Sequence, residues 1–449
     1  MYTNRKYLPP IWTIAVILSI SCSSENALHL AAPVHSSNPI SAVNEESIPS
    51  GMDTLAIVHA NIITGDGSTV IQDGCIIIEG PRIKQVGRYP DVTIPKSAKI
   101  LEAEGLTIVP GLIDAHFHLG TLDSLPSIML ARGITSLRDP GAWIESYDRE
   151  LASDRLLPRF YLTGPHFDMF PPAYPTNSFI LRDASEARSA VHKFSDQGAS
   201  AIKIYFRSSL AIIQAICETA DERGIPATAH LEITDIYDAV DAGIDGIEHI
   251  TSVGSNLVPD TVAEAYKQAI LRDNNARRIG RYSMWQEIDP DGEAARRLAQ
   301  YLADEGVFVC PTLGAFEYQP VEDVFDSLRY EGFGSMLRYT KVLFDMGVPI
   351  VVGSHSWVQY AAYGWAYHNE MELFAKSGIS PLKIIKAATY DNARFFRIED
   401  NLGSLAAGKQ ADLILVKGDP SADIRALRDP EGVMLQGRWI KAMDSRQSQ

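Results

Sequence analysis

Two histidines in alternate positions, His116 and His118, follow the apolar run 106–113, which is broken only by Thr107 and Pro110-Gly111. On an extended backbone, residues i and i+2 point to one side, so both imidazoles can reach a single point. Neutral imidazole is the commonest side-chain ligand of divalent transition metals, which makes metal chemistry the first reading. Two unrelated strand-end histidines would leave the same pattern. Other apolar runs also carry or end on polar residues: Lys203 lies inside 198–206, His230 ends 225–230 and His249 falls within 243–250. A lysine in a strand can snorkel to solvent. Desolvating its ammonium, however, is costly without a partner or a modification. Four histidines and one lysine converging from four strands form a stronger signal than any one of them.

These residues need a scaffold. Candidate strands fall at 107–113, 135–138, 159–163, 201–205, 227–230, 246–250, 307–310 and 349–353, with helical stretches between them. Eight strands alternating with helices predict a (β/α)₈ barrel over 107–401, and a barrel places its chemistry at the C-terminal strand ends. A doubly wound open sheet is the rival, but no G-x-G-x-x-G opens a helix after a strand. Shorter strand-like runs at 55–60, 75–79, 82–86 and 99–102 precede the barrel, and runs at 411–416 and 433–441 follow it. Neither set closes alone. The simplest arrangement pairs both chain ends, 53–106 and 402–443, into one small β-sandwich.

Composition sets outer bounds. The 449 residues are 46% hydrophobic and 21% charged, an ordinary globular balance. Forty basic against 56 acidic residues give a net charge of −16, which argues against nucleic-acid binding. Arg5 and Lys6 precede the apolar run 11–20, too short to span a bilayer but suited to a secretory signal. Ser21-Cys22 at its end resembles a bacterial lipoprotein cleavage site, with Ser19 where such sites carry Leu. The expectation is export, cleavage before Cys22 and a lipid anchor there at the cell envelope. Residues 23–52, rich in Ser, Asn and Pro, read as a flexible tether in which His29 and His35 are bystanders. Cys75, Cys217 and Cys310 are too few for a disulfide scaffold and read as buried small hydrophobes.

The motifs together carry a resemblance. Pro110-Gly-Leu-Ile-Asp-Ala-His-Phe-His118, Ile202-Lys203, Ala229-His230, Ile247-Glu-His249 and Gly403-Ser-Leu-Ala-Ala-Gly-Lys-Gln-Ala-Asp-Leu413 resemble the amidohydrolase superfamily. Gly133-Ile-Thr-Ser-Leu-Arg-Asp139, the run 368–378 and Ala387-Ala-Thr-Tyr-Asp-Asn-Ala393 match as well. The branch is similar to imidazolonepropionase-like and Xaa-Pro dipeptidase-like enzymes, over roughly residues 53–443. The resemblance implies two divalent metals, zinc by expectation. His116 and His118 would hold one, His230 and His249 the second, and carboxylated Lys203 would bridge them. It implies hydrolysis of an amide or peptide bond in a dipeptide or other small molecule by metal-activated water. A homo-oligomer is left open.

One position departs from the pattern. The family's strand-eight aspartate, a ligand and proton acceptor, is here His355 in Gly353-Ser-His-Ser-Trp357. No Asp or Glu lies between Gly347 and Glu370 to replace it. Unbound imidazole, with a pKa of about 6.5, could act as base; bound to metal it could not. Three states follow: a competent enzyme with a histidine base, one using another base, or an attenuated metal-binding or scaffold protein. A deaminase is disfavoured, because Ile233 stands where mononuclear deaminases of the superfamily carry Glu. For substrate, Tyr205 and Arg207 alternate with Lys203 and could hold a carboxylate. The aromatic run Trp357, Tyr360, Tyr363, Trp365 and Tyr367 could line an apolar pocket or simply pack. The stretch 251–306, too long for an ordinary connection, could form part of a lid.

Overall fold

The computed structural model describes residues 40–120, 124–320 and 325–441. The expected signal segment, Cys22, His29 and His35 lie outside the described residues. No helix among the described residues is long and apolar enough to cross a membrane.

Five strands come first: β1 (Thr54–Ile63), β2 (Val70–Glu79), β3 (Arg82–Arg88), β4 (Lys99–Glu102) and β5 (Leu106–Pro110). β1 pairs antiparallel with β2 and β2 with β3, while β1 runs parallel to β4 at its start and to β5 near its end. The switch follows from a bulge at His59, whose φ is 63°. Alternation decides the faces. Ile57, Ile62, Ile76 and Ile78 enter one core with Ile108, Leu413 and Leu415, while Val58, Cys75 and Ile77 enter another with Val92.

The barrel strands follow. They are β6 (Leu112–Asp114), β7 (Ile134–Asp139), β8 (Arg159–Leu162), β9 (His166–Asp168), β11 (Ile202–Ile204), β12 (Ala227–Ala229), β13 (Gly246–Glu248) and β14 (Phe308–Cys310), with a short β10 (Ser178–Ile180) laid parallel beside β9. All pair in parallel within two sheets, β6-β7-β8 and β10-β9-β11-β12-β13-β14. Ser200 N donates to Leu162 O at 2.8 Å and joins the two. A further extended segment, 349–352, closes the ring. Val351 N reaches Val309 O at 3.0 Å on one side, and Ala115 N reaches Val352 O at 2.9 Å on the other. Helices cover the outside by burying one face. In Ala184–Asp196 the buried residues are Ala187, Ala190, Val191 and Phe194, a 3–4 spacing, and the Asp183 carboxylate caps Ser185 N and Glu186 N.

The chain then returns to the first sheet through β15 (Leu413–Lys417), β16 (Pro430–Leu435) and β17 (Arg438–Lys441). β15 pairs antiparallel with β5, Leu413 opposite Pro110. Both chain ends therefore build one sheet, ordered β17-β16-β15-β5-β1-β2-β3 with β4 on β1. The expected strand 107–113 is two strands. It changes partners at Gly111, where a Cβ would lie 2.5 Å from Thr135 Oγ1. The boundary between sheet and barrel sits there, not at residue 106.

The tether expectation fails over its last part. Ala42, Asn44 and Ile48 are buried, and Val43 N donates to Phe160 O at 2.9 Å. Asn44 exchanges two bonds with the backbone of Pro158 and Phe160, both 2.9 Å. Apolar residues spaced among the Ser and Asn give this segment enough to bury. Beneath it the buried guanidinium of Arg159 pairs with Asp412 of the sheet domain and with Glu45 at 3.1 Å.

Candidate metal centre

The ends of the first and eighth barrel strands are stitched together. Asp114 Oδ1 accepts from His116 N at 3.0 Å and Ser354 N at 2.9 Å. His355 N donates to His116 O at 2.7 Å, and His118 N donates to Ser356 Oγ at 2.7 Å. Gly353 permits this closeness, since a Cβ there would lie 2.5 Å from His116 Cβ. His116, His118 and His355 thus share one end of the barrel by backbone geometry.

Three of the four expected histidine ligands have one ring nitrogen hydrogen-bonded to a neighbouring side chain. His116 Nδ1 meets Glu248 Oε2 at 2.6 Å, His249 Nδ1 meets Thr312 Oγ1 at 2.7 Å, and His230 Nε2 meets Glu232 Oε1 at 2.9 Å. His118 Nδ1 lies 3.4 Å from Asp139 Oδ1. The other nitrogens are left for something else. His116 Nε2 and His118 Nε2 face each other at 3.1 Å, and His230 Nδ1 is buried without a partner. Two donors on one tetrahedral zinc, at Zn–N of about 2.05 Å, would sit about 3.3 Å apart. Carboxylate or hydroxyl behind imidazole, with the far nitrogen free, is the arrangement that fixes a metal-binding tautomer. One nitrogen each of His116, His249 and His355 also lie within 4.8 Å of one another. The donor set fits a divalent cation.

Burial keeps His116, His230, His249 and His355 neutral. Burial, aided by neighbouring cationic groups, holds His116 and His249 well below the ordinary histidine value. Burial takes His230 to about 4 and His355 to about 3. The carboxylates stay ionised: Arg138 and Lys203 outweigh burial at Glu248, and Arg281 and His230 take Glu232 to about 2. Lys203 Nζ is buried, has no hydrogen-bond partner and lies 3.8 Å from Glu248 Oε1. Burial lowers it to about 7 against the pull of Glu248.

A cavity of about 260 Å³ opens over this cluster, with His116, His118, Lys203, Tyr205, His249 and His355 in its wall. His230 packs behind, its ring 4.5 Å from that of His249. Arg207 does not join them. Its guanidinium donates to Ile270 O at 2.9 Å and Asn274 Oδ1 at 2.6 Å, because β11 stops at Ile204 and the alternation stops with it. The guanidinium at the site comes from the stretch 251–306. Arg277, on the helix Arg277–Glu287, donates to Tyr205 Oη at 3.3 Å and Tyr174 Oη at 2.8 Å. Arg281 of the same helix reaches Glu232 at 3.3 Å. None of the aromatic run lines the cavity: Tyr367 Oη donates to Ile113 O at 2.8 Å, Trp365 lies under Arg132 at 4.0 Å, and Trp357 is exposed.

Sequence reasoning missed Asp139 and His166, which line the cavity, and Glu232, Glu248 and Thr312, which hold the rings. Two carried a signal. Asp139 ends β7, and Glu232 stands two residues beyond His230.

A (β/α)₈ barrel joined to a sheet made from both chain ends, with histidines gathered at the C-terminal strand ends, defines a class of barrel hydrolase fold. The Amidohydrolase family model matches residues 107–440, and the chain belongs to that family. A solved Xaa-Pro dipeptidase with bound methionine in its active site is similar at TM-score 0.67 and 20% identity, covering 87% of this chain and 100% of that one. An uncharacterized protein of Mycobacterium tuberculosis (strain ATCC 25618 / H37Rv) is 24% identical over 360 residues, 75% of this chain and 85% of the relative. A 5-methylthioadenosine/S-adenosylhomocysteine deaminase of Caldanaerobacter subterraneus is 22% identical over 403 residues, 81% and 84% of the two chains. The chain is a hydrolase of this family.

Proposed function

We propose that this protein is a metal-dependent amidohydrolase that cleaves an amide or peptide C–N bond of a small substrate, a dipeptide by preference. One observation carries the reading: His116, His230 and His249 each have one nitrogen held by a neighbouring side chain, and His116 Nε2 faces His118 Nε2 at 3.1 Å beside the cavity. A divalent cation held there supplies a polarised carbonyl and a water of lowered pKa. Lys203, lowered by burial to about 7 and so partly uncharged at pH 7, is suited to carboxylation and so to bridging a pair of ions. Tyr205, backed by Arg277, orients substrate at the cavity wall.

The reading of His355 as base weakens. A ring held to about 3 is a poor proton acceptor near neutrality. Asp139 is the carboxylate on the cavity wall, with Oδ1 accepting no hydrogen bond. A slow or attenuated hydrolase is therefore the second reading. The test is metal analysis of the purified protein beside assays on a dipeptide panel, with adenosine deamination in parallel. Bound divalent metal and chelator-sensitive dipeptide cleavage are expected. Metal-independent cleavage, or deamination alone, would refute the proposal. Export with lipid on Cys22 is proposed as well, with intact-mass analysis of the mature chain as its check.

A further inference from the structure

Resting on the metal-dependent reading, we infer that His355 is a metal ligand. It joins His116 and His249 in a three-imidazole site for one borderline cation of the Zn, Co, Ni or Cu type. The three rings belong to three different strand ends. Their centroids lie 4.6 Å (His116–His249), 5.4 Å (His116–His355) and 5.5 Å (His249–His355) apart, with donor nitrogens within 4.8 Å of one another. This trio cuts across the pairing that the sequence suggests, His116 with His118 and His230 with His249.

Backbone strain supports the assignment independently. His249 has φ 68°, His355 56° and Ser356 58°, positive values that non-glycine residues adopt rarely and only where the surrounding structure holds them. Two of these three residues supply the proposed donors. The conformation at 355–356 is held from several sides: His355 N on His116 O at 2.7 Å, Ser356 N on Ser354 Oγ at 2.9 Å, and Ser356 Oγ under His118 N at 2.7 Å. This network presents the His355 ring to the cavity, where its Nδ1 is enclosed without a partner. A solvated surface histidine would need none of this.

Ligand chemistry then sets the cation. Three imidazoles bring no charge, and imidazole suits Zn, Cu, Ni and Co, whereas Mg, Ca and Mn favour carboxylate and carbonyl oxygen. A carboxylate in place of His355 would serve the harder ions better.

The experiment strips the full-length protein with chelator and titrates it with Co(II), Zn(II) and Mn(II), following cobalt by its visible absorption. Native protein should bind the first Co(II) or Zn(II) at least about a hundredfold more tightly than Mn(II). His355→Ala should lose about a hundredfold or more in Co(II) affinity, beyond the ~10–100-fold range typical of residues that only orient ligands. His355→Asp should bind Co(II) with an altered spectrum and narrow the gap to Mn(II). A smaller loss in His355→Ala, or an unchanged cobalt spectrum, overturns the inference while leaving metal-dependent hydrolysis standing. If native protein binds none of these ions, both fall. Should the variants fail to fold, pulsed EPR of Cu(II)-loaded native protein counts bound imidazoles. Three support the site and two overturn it.

Discussion

Lys203→Met in metal-free, carbonate-free protein tests how the fold treats a buried amine. The Lys203 amine falls from 10.5 to about 7 on burial. By linkage, that depression corresponds to about 5 kcal/mol. Between pH 7 and 10.5 the unfolded chain binds a proton that the native state has released, so native stability rises with pH across that window. Below pH 7 both states are protonated and the full penalty stands. Methionine matches the stem in length and removes the amine, while Glu248 keeps its partner Arg138. Urea unfolding of native and variant protein at pH 6.5, 8 and 9.5 is the assay. The variant should be more stable by several kcal/mol at pH 6.5, and the gap should close by about 1.4 kcal/mol per pH unit above 7. A variant less stable than native at pH 6.5, or a gap that ignores pH, would falsify the account of Lys203 as a desolvated amine without a hydrogen-bond partner.

Two further outcomes follow from buried charge. Asp412→Ala leaves the Arg159 guanidinium with only Glu45, and removing one partner of a buried pair should destabilise the protein by about 3–5 kcal/mol in urea unfolding. Glu370 sits fully buried and accepts from Leu313 N and Gly314 N, both at 2.7 Å, yet burial raises it to about 8. Its folded-state value lies above the unfolded 4.5, so the native state holds the extra proton and stability falls as pH rises from 4.5 to 8. Glu370→Gln should flatten that slope in pH-dependent unfolding.

What could be read from the residues followed the local period. Eight apolar runs located the barrel, and alternation put His116 and His118 on one side. The same rule misled at Arg207, because β11 is only three residues long and nothing local marks where a short parallel strand ends. The Pro110-Gly111 break marked the sheet-to-barrel changeover, but Leu112 and Ile113 resume the apolar run, so nothing local says that the strand changes partners there; the close approach of Thr135 does. Thr312 gave no signal at all, since its contact with His249 depends on a left-handed turn, φ 48°, after β14. Arg277 and Arg281 lay in a stretch recognised as long, but which of its residues face the site depends on how the helix Arg277–Glu287 docks.

The pairing of Leu413–Lys417 with Leu106–Pro110 sets an order on how this chain can be made. A ribosome delivers β5 some three hundred residues ahead of its partner. Until then Leu106-Thr-Ile-Val-Pro110 has an unpaired edge, apolar apart from Thr107, the kind of segment that recruits other chains. The buried Arg159 waits equally long for Asp412. The barrel strands are all synthesised before that final stretch, yet the molecule stays adhesive until its last strands arrive. A stop codon shortly before residue 412 would therefore leave a nearly whole barrel with a sticky flank, and aggregation rather than simple loss of a domain is its natural fate.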